Sequence, residues 1–407
     1  MSLLAKTRAA FAVVFLSVLF CLFAWNMPRF AESAKTLGLP HSAQDFREAC
    51  TALQGLAREY FAGKYAAWEA HAALQEALGK SEVNDFAVVK AANGRLYRGG
   101  LYPLTVDNAR ELADDIADFA EAAGEQGARV LYLNMPDCVL KNAPPGPPGL
   151  PYLDFNPAAD ALLYVLRERG VPSLDTRYAF IRDGFPPEAI SPKTSGLLSG
   201  RAAFAVFGYL LDGLERHFDL SLDPEGVYRN PEHYVLRDYP DSFIGEWGKN
   251  SGPAFSGLDD FTAVSPGFDT DIEYESIDMF DTFTRAEGDI RETLLNPDAL
   301  VYYDNLYRFY PQSYYRHTNT AWSTIKNLRN PDGPKLLFIH DDYPGQVITH
   351  LVPLFSEIHT LAWQENFSAN ATQYLQDNAV EYVVIAFEPE NLLNPRMRLL
   401  IGNAPKP

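Results

Sequence analysis

The chain has 407 residues, of which 47% are hydrophobic and 13% aromatic, enough for a large core in one or two domains. Its 53 acidic and 34 basic residues give a formal net charge of −19, which argues against a nucleic-acid partner for the folded part. The three cysteines, Cys21, Cys50 and Cys138, lack any zinc-binding spacing, and we expect no metal and no cofactor. Cys50 and Cys138 could form a disulfide in an oxidising compartment.

The N-terminal segment is predicted to enter a membrane. Lys6 and Arg8 precede an uncharged apolar run at residues 9–25, at the lower edge of the length that spans a bilayer. The positive flank predicts a cytoplasmic N-terminus with the rest of the chain exported. We interpret residues 1–33 as an uncleaved signal anchor in the inner membrane, with a signal peptide cleaved after Ser33 as the alternative. Both interpretations place the protein outside the cytoplasm, in the periplasm or at the cell surface.

Residues 34–82 are predicted to form a helical membrane-proximal segment, with one long helix at 42–79, because apolar residues recur there at helical spacing. The Asn93-Gly94 pair then predicts a β-hairpin. Helices are predicted at 106–123, 157–169, 201–218, 344–357 and 368–378, and strands at 129–137, 171–180, 335–342, 358–363 and 380–387.

This alternation predicts an α/β fold at residues 83–407, with a doubly wound, largely parallel sheet and helices on both faces. Residues 219–325 show no clear elements and are predicted to be an irregular insert in this domain. Ligands of such sheets bind at the carboxyl ends of the strands. His340, Asp341 and Asp342 follow one predicted strand and are therefore candidate site residues.

Each candidate has more than one interpretation. Asp341 and Asp342 could cap the next helix, act in catalysis or metal binding, or be a remnant of a lost site. His317 is a candidate catalyst, although a lone histidine is more often structural. Ser195 lies in a Ser-rich loop before a helix, where a capping role is usual.

Several stretches follow one another in an informative order: "NGRLYRGGLY", "ARVLYLNMPD", "PSLDTRYAF", "DSFIGEWGKNSGPAFSGLDDFT", "KLLFIHDDYPGQVITHLVPLFSEIH" and "YLQDNAVEYVVIAFEPENLL". In this order they resemble successive elements of the SGNH-hydrolase-like proteins of bacterial cell envelopes, of the DHHW and AlgX–AlgJ type. In that family a Ser follows an Asp at the end of the late strand, and a separate Asp-x-His supplies the acid/base pair. The resemblance implies O-acetyl transfer or ester hydrolysis on a cell-surface polysaccharide, together with envelope assembly proteins.

Residue by residue, the resemblance fails at the reacting groups. Asp341 matches the family's Asp, but Asp342 stands at the position of the nucleophilic Ser. Ser195 and Leu197 stand where the acid/base Asp and His are expected. A second placement of the acid/base string, at residues 318–322, also lacks the His, so His317 and His340 are the histidines near enough in sequence to substitute.

Three functional hypotheses remain open. The preferred one is a non-catalytic relative, a pseudoenzyme that binds a polysaccharide or acts as a scaffold in its O-acetylation. The second is an enzyme with altered Asp/His or metal-dependent chemistry on a glycan ester. The third is an unrelated exported α/β binding protein, which predicts that the strand at residues 335–340 is not central in a parallel sheet.

Overall fold

The computed structural model describes residues 3–35, 46–47, 49–52, 54–55, 61–101, 104–141, 149–278, 280–301, 305–341, 343–363 and 370–401. The chain divides into two compact units, Met1–Leu74 and Gln75–Pro407. In the first unit, helix α1 (Leu3–Ala34) includes the segment Thr7–Pro28, which is long and apolar enough to cross a membrane by its length and composition.

The predicted single helix at residues 42–79 is wrong. The described residues between 46 and 55 are helical, but Ala62 and Gly63 form a turn and α2 begins only at Lys64 (Lys64–Ala77). Gly63 has a φ of +82°, a left-handed conformation that glycine adopts without strain and that a helix interior excludes. The helical spacing of apolar residues in the sequence therefore continues across a break in the helix.

The described residues of the second unit form thirteen strands and further helices. Its first part has β1 (Glu82–Val83), β2 (Val88–Lys90), β3 (Leu96–Arg98), α3 (Asp107–Glu125), β4 (Arg129–Asn134), α4 (Asn156–Glu168), β5 (Ser173–Asp175), α5 (Thr176–Arg182) and α6 (Gly200–Phe218). Next come β6 (Tyr234–Phe243), α7 (Glu246–Ser251), α8 (Pro253–Ser256), β7 (Asp259–Pro266), β8 (Ile272–Asp278), β9 (Phe283–Gly288) and α9 (Ile290–Thr293). The last part has β10 (Thr320–Asn327), β11 (Lys335–His340), α10 (Gly345–Leu351), β12 (Glu357–Ala362), α11 (Ala371–Asp377), β13 (Tyr382–Phe387) and α12 (Met397–Ile401).

Eight strands form the central sheet, in the order β5-β4-β13-β11-β12-β10-β8-β9. The five strands from β5 to β12 are parallel, and β10, β8 and β9 extend the sheet in antiparallel pairing. β11 lies fourth in the order, with a parallel neighbour on each side. The predicted mixed α/β fold with a mostly parallel sheet is therefore confirmed, and the central position of β11 is the opposite of what the unrelated-protein hypothesis requires.

Successive side chains of β11 point to opposite faces of the sheet, as the two-residue period of a strand dictates. Leu336 and Phe338 belong to the core that α6 and α10 cover, whereas Leu337 and Ile339 belong to the core that α3 and α4 cover. Helices on both faces bury β11 from Leu336 to His340, which explains its apolar run. The carboxyl end of the strand is then the place where the chain returns to polar residues.

The segment 219–325 contains five strands, β6 to β9 and the start of β10, where the sequence suggested irregular structure. In β8 the buried residues Ile272, Tyr274 and Ser276 alternate with the half-buried Glu273 and Glu275. The alternation is present in the sequence, but its many polar residues hide it. β8, β9 and β10 belong to the central sheet, whereas β6 and β7 form a two-stranded sheet whose Phe243 and Phe261 belong to the same core as Leu336 and Phe338.

Candidate functional site

Three acidic residues follow three neighbouring parallel strands. Asp137 comes after β4, Asp341 after β11 and Glu388 after β13. The register pairs His340 with Ala386 and Phe387 with Asn134, so the strands end at the same edge of the sheet. We call Asp137, Asp341, Glu388 and the nearby Glu246 of α7 the carboxyl cluster. Their charges act on one another, because the charges of Asp341, Glu246 and Asp137 all raise the pKa of Glu388.

Asp341 holds the loop after β11 in place. Its carboxylate accepts hydrogen bonds from the backbone N–H of Tyr343 (3.0 Å), the backbone N–H of Glu388 (2.7 Å) and the side-chain amide of Asn391 (2.9 Å). Burial raises the pKa of Asp341 to about 6, although the three donors oppose this shift. The hydrogen bonds favour a positioning role for Asp341, which is 2% exposed.

The carboxylates of Asp137 and Glu388 are less completely hydrogen-bonded than that of Asp341. Burial raises the pKa of Asp137 to about 6, and its Oδ2 has no hydrogen-bond partner among the described residues. Burial also raises the pKa of Glu388 well above its ordinary value, the neighbouring carboxylates raise it further, and Arg98 opposes them. Arg98 itself forms an ion pair with Glu390. Cys138 and the backbone N–H of Val139 donate to the Asp137 carboxylate, so the unmet acceptor there is Oδ2.

The loop at residues 193–198, which the resemblance assigns to the acid/base pair, is held by Asp259. The Asp259 carboxylate accepts hydrogen bonds from the backbone N–H groups of Lys193 (2.7 Å) and Thr194 (2.9 Å) and from the Thr194 hydroxyl. The side-chain amide of Gln346, in the first turn of α10, donates to the carbonyl of Leu198 (2.9 Å). The fold thus brings this loop to the helix that follows β11.

Ser195 and Leu197, at the two positions that the resemblance assigns to the acid/base pair, make other contacts. Ser195 is fully buried, and its hydroxyl donates to Oε2 of Glu246 (2.6 Å), whose Oε1 accepts the N–H of Gly196 (3.0 Å). Leu197 is half-buried and packs against the core beneath α6. Neither a serine hydroxyl bound to Glu246 nor an alkyl side chain can shuttle a proton as the Asp–His pair does.

Gly196 lies between Trp247 and Glu388. A Cβ atom at Gly196 would lie 3.0 Å from two atoms of the Trp247 ring and 3.8 Å from Oε1 of Glu388. The half-buried indole therefore packs directly on the glycine backbone, beside the carboxyl cluster.

The two candidate histidines are buried and neutral. His340 donates from Nδ1 to the carbonyl of Asp341, and His317 donates from Nε2 to the carbonyl of Gly345 at 2.7 Å. Burial lowers the pKa of each to about 4. The His340 ring packs on Phe338, with 5.7 Å between ring centroids. Asp342 lies outside the described residues, so a role for either histidine beside Asp342 stays a prediction.

The second placement of the acid/base string ends in β10. There Trp322 donates from Nε1 to the hydroxyl of Tyr374 (3.1 Å).

Cys21, Cys50 and Cys138 are all free in the structure. Among the described parts of the chain, no group of His, Cys, Asp and Glu side chains is arranged to hold a metal ion.

Sequence reasoning missed Asp137, Glu388, Glu246 and Trp247. A signal for two of them existed, because Met135-Pro136-Asp137 and Glu388-Pro389 each follow a buried strand. Parallel neighbours end together, so both acids belonged with Asp341 once the strand order was known. Glu246 and Trp247 carry no such signal, since they reach the site from a short helix after β6.

The fold is a mixed α/β fold of the SGNH-hydrolase-like type. Its solved structural neighbours include a DHHW family protein from Eubacterium siraeum, with 16% identity and a TM-score of 0.55 over 76% of this chain and 96% of that one. They also include PatB1 from Bacillus cereus with a sulfonyl adduct, with 14% identity and a TM-score of 0.57 over 75% of this chain and 94% of that one.

The O-acetyltransferase domain of Pseudomonas putida AlgJ is a weaker match, with 11% identity and a TM-score of 0.46 over 75% of this chain and 92% of the domain. No protein-family model matches the sequence, and no curated protein is detectably similar to it. The similarity is therefore one of fold, and the chemistry must be judged from this chain's own residues.

Proposed function

We propose that this protein is a membrane-anchored, extracytoplasmic pseudoenzyme of SGNH-hydrolase-like fold that binds an envelope polysaccharide and serves its O-acetylation or assembly. It contributes a glycan-binding surface at the carboxyl ends of β4, β11 and β13 and leaves the transfer of acyl groups to a partner.

One observation carries this proposal. The loop at residues 193–198 keeps its anchor on Asp259 and its contact with α10, but its two acid/base positions hold Ser195 and Leu197. Ser195 is hydrogen-bonded to Glu246, and Leu197 packs on the core. The scaffold of the site is retained without the groups that activate a nucleophile.

The alternative is an enzyme that uses carboxylates, and the buried, unpartnered Oδ2 of Asp137 favours it, since burial also raises the pKa of this residue to about 6. Against this alternative, Asp341 already accepts three hydrogen bonds, and His317 and His340 bond to backbone carbonyls. Asp341, His317 and His340 are therefore already engaged, and the catalytic alternative rests on Asp137 alone. Binding is therefore the better-supported function.

The proposed location rests on the N-terminal helix. Thr7–Pro28 could cross a membrane, and Lys6 and Arg8 precede its apolar part. The positive flank supports an orientation in which the folded unit lies outside the cytoplasm. A polysaccharide at the cell surface would then be within reach of the strand-end site.

The test uses the full-length protein in detergent micelles with a panel of plain and O-acetylated bacterial polysaccharides of neutral, cationic and anionic type. Affinity electrophoresis measures binding, and acetate release measures hydrolysis. We expect retardation by at least one polysaccharide and no acetate release above that of heat-denatured protein. Acetate release that disappears in Asp342→Ala would establish the altered-enzyme alternative, and absence of binding to every polysaccharide would refute the proposal.

A further inference from the structure

The half-buried indole of Trp247 and the carboxylate of Glu388 form a corner around Gly196. A Cβ at Gly196 would contact both groups, at 3.0 Å and 3.8 Å, so the two side chains flank the same short piece of backbone. The exposed Glu246 accepts a hydrogen bond from the N–H of Gly196, in that same piece of backbone. We call these residues, Gly196, Glu246, Trp247 and Glu388, the indole–carboxylate corner. An aromatic face beside carboxylates offers stacking to a sugar ring and attraction to a cation.

The carboxylate of Glu388, in this corner, and Oδ2 of Asp137, beside it, lack, among the described residues, hydrogen-bond donors and a cation to balance their charge. The Glu388 side chain accepts no hydrogen bond from the described residues, and Oδ2 of Asp137 has none either. Arg98 is the neighbouring cation that acts on Glu388, but it is already paired with Glu390. A ligand that brings N–H donors and a positive charge would relieve both deficits, since charge-assisted hydrogen bonds are the stronger ones.

The same charges oppose an anionic ligand. Asp137, Asp341, Glu246 and Glu388 all lie at this edge, and the whole chain carries a formal net charge of −19. A uronate-type polysaccharide would bring further carboxylates to a field that already repels them. A neutral sugar could stack on Trp247 but would leave the charge unbalanced.

We propose that the indole–carboxylate corner selects a cationic amino sugar, a glycan whose hexosamine units carry free ammonium groups. This inference rests on the proposed glycan-binding function and adds its substrate class. The sugar ring stacks on Trp247, and its ammonium group donates to Glu388. An N-acetylated unit of the same backbone lacks the charge and is bound less well.

The experiment compares two hexamers with the same β-1,4-linked backbone, one of glucosamine and one of N-acetylglucosamine, with an oligouronate as third probe. Calorimetry with the full-length protein at neutral pH and low salt gives the three dissociation constants. We expect the glucosamine hexamer to bind about tenfold more tightly than its N-acetylated counterpart, the size of one charge-assisted hydrogen bond. The oligouronate is expected to bind most weakly.

Two variants assign the preference to the corner. Glu388→Gln should bind the two hexosamine oligomers equally, because the amide keeps the shape and removes the charge. Trp247→Ala should weaken both oligomers alike, because stacking does not depend on the ammonium group. Glu225→Gln, at an exposed glutamate outside the corner, and Tyr164→Ala, at an exposed tyrosine of α4, are the matched controls.

The outcomes separate this inference from the proposed function. Equal affinity for both hexosamine oligomers, or tighter binding of the oligouronate, overturns the inference and leaves glycan binding intact. If Glu225→Gln reduces the preference as much as Glu388→Gln does, the preference is a long-range effect of net charge, and the inference is overturned. If no polysaccharide binds in either experiment, the proposed function itself fails.

Discussion

The backbone N–H of Glu388 donates a 2.7 Å hydrogen bond to Oδ2 of Asp341, which ties the end of β13 to the end of β11. The amide side chain of Asn391 donates to the same oxygen at 2.9 Å, and the N–H of Tyr343 donates to the other oxygen at 3.0 Å. A buried carboxylate thereby organises the strand ends at which the carboxyl cluster lies. These three hydrogen bonds give Asp341 a structural role at the strand ends.

Asp341→Ala should destabilise the folded protein strongly, because three buried or half-buried donors lose their acceptor together. We expect the free energy of unfolding to fall by about 3 kcal/mol, given the cost of leaving buried polar groups unpaired. Urea denaturation measures the change, with Asp332→Ala as a control at an exposed aspartate. Equal losses in the two variants would contradict a structural role for Asp341.

Gly196→Ala should introduce a clash with the indole of Trp247, since the added Cβ would lie 3.0 Å from two ring atoms. We expect a cost of about 1–2 kcal/mol in unfolding free energy, typical of overpacking a rigid contact. In the Trp247→Ala background the same change should cost much less.

A double-mutant cycle on these two positions isolates the coupling between them. Gly208→Ala provides the matched control, because Gly208 lies inside α6 with no atom near its Cβ position, and alanine should stabilise the helix there by about 0.5–1 kcal/mol. Absence of coupling between Gly196 and Trp247 would show that the indole does not pack on the glycine.

Asp259→Ala should release the loop at residues 193–198 while the rest of the fold remains intact. The carboxylate accepts the N–H groups of Lys193 and Thr194, at 2.7 Å and 2.9 Å, so both amides lose their acceptor. Hydrogen exchange followed by mass spectrometry should show faster exchange in peptides covering this loop than in those covering β11. The neighbouring exposed Asp260, changed to Ala, should leave the loop protected.

His350→Phe should reduce the loss of stability in acid. The His350 ring is fully buried among Phe204, Phe207 and Tyr234, at centroid distances of 5.2, 5.7 and 5.5 Å, and neither ring nitrogen has a hydrogen-bond partner in the described part of the chain. Burial lowers the pKa of His350 from 6.5 to about 3. Phenylalanine fills a similar space without a titrating group.

The direction in which the unfolding free energy changes with pH follows from proton linkage. Below pH 6.5 the unfolded chain protonates this histidine and the folded chain does not, so the unfolding free energy falls as the pH decreases, by up to about 1.4 kcal/mol per pH unit. Asp137 and Asp341, whose pKa values are raised to about 6, act in the opposite direction as the pH falls below about 6. Comparing His350→Phe with the parent at pH 7, 6 and 5 cancels their effect.

Urea unfolding at these three pH values should give a shallower pH dependence for His350→Phe than for the parent. His233→Phe, at an exposed histidine, is the control for the substitution itself. An unchanged slope in His350→Phe would mean that the ring is protonated in the folded protein.

The sequence predicted the parallel part of the sheet well because its strands are buried on both faces. β11 and β13 are continuous apolar runs between helices with clear periodicity, and both appear near their predicted positions. β8 was harder, since its half-buried Glu273 and Glu275 gave a polar appearance to a regular strand. The hydrophobic pattern of a strand reflects how far its side chains are buried, and the antiparallel strands at the edge of the sheet are only partly buried.

The site was only partly predictable for a different reason. Asp341 could be found because it directly follows a strand, whereas Glu246 and Trp247 come from a helix whose position depends on the whole fold. The histidines were misleading as sequence candidates, since chain proximity does not reveal that His317 and His340 point into the core. Which side chains meet at a strand end is decided by strand order.

The central claim is that the scaffold is kept without a serine-type nucleophile, and a sulfonyl fluoride tests it most directly. PatB1, a structural neighbour of the same fold, has been seen with a sulfonyl adduct, and it provides the positive control. The intact mass of this protein, incubated in parallel in its folded full-length form, should not increase. A stoichiometric gain of one sulfonyl group, lost on heat denaturation before labelling, would reveal an activated nucleophile and contradict the account.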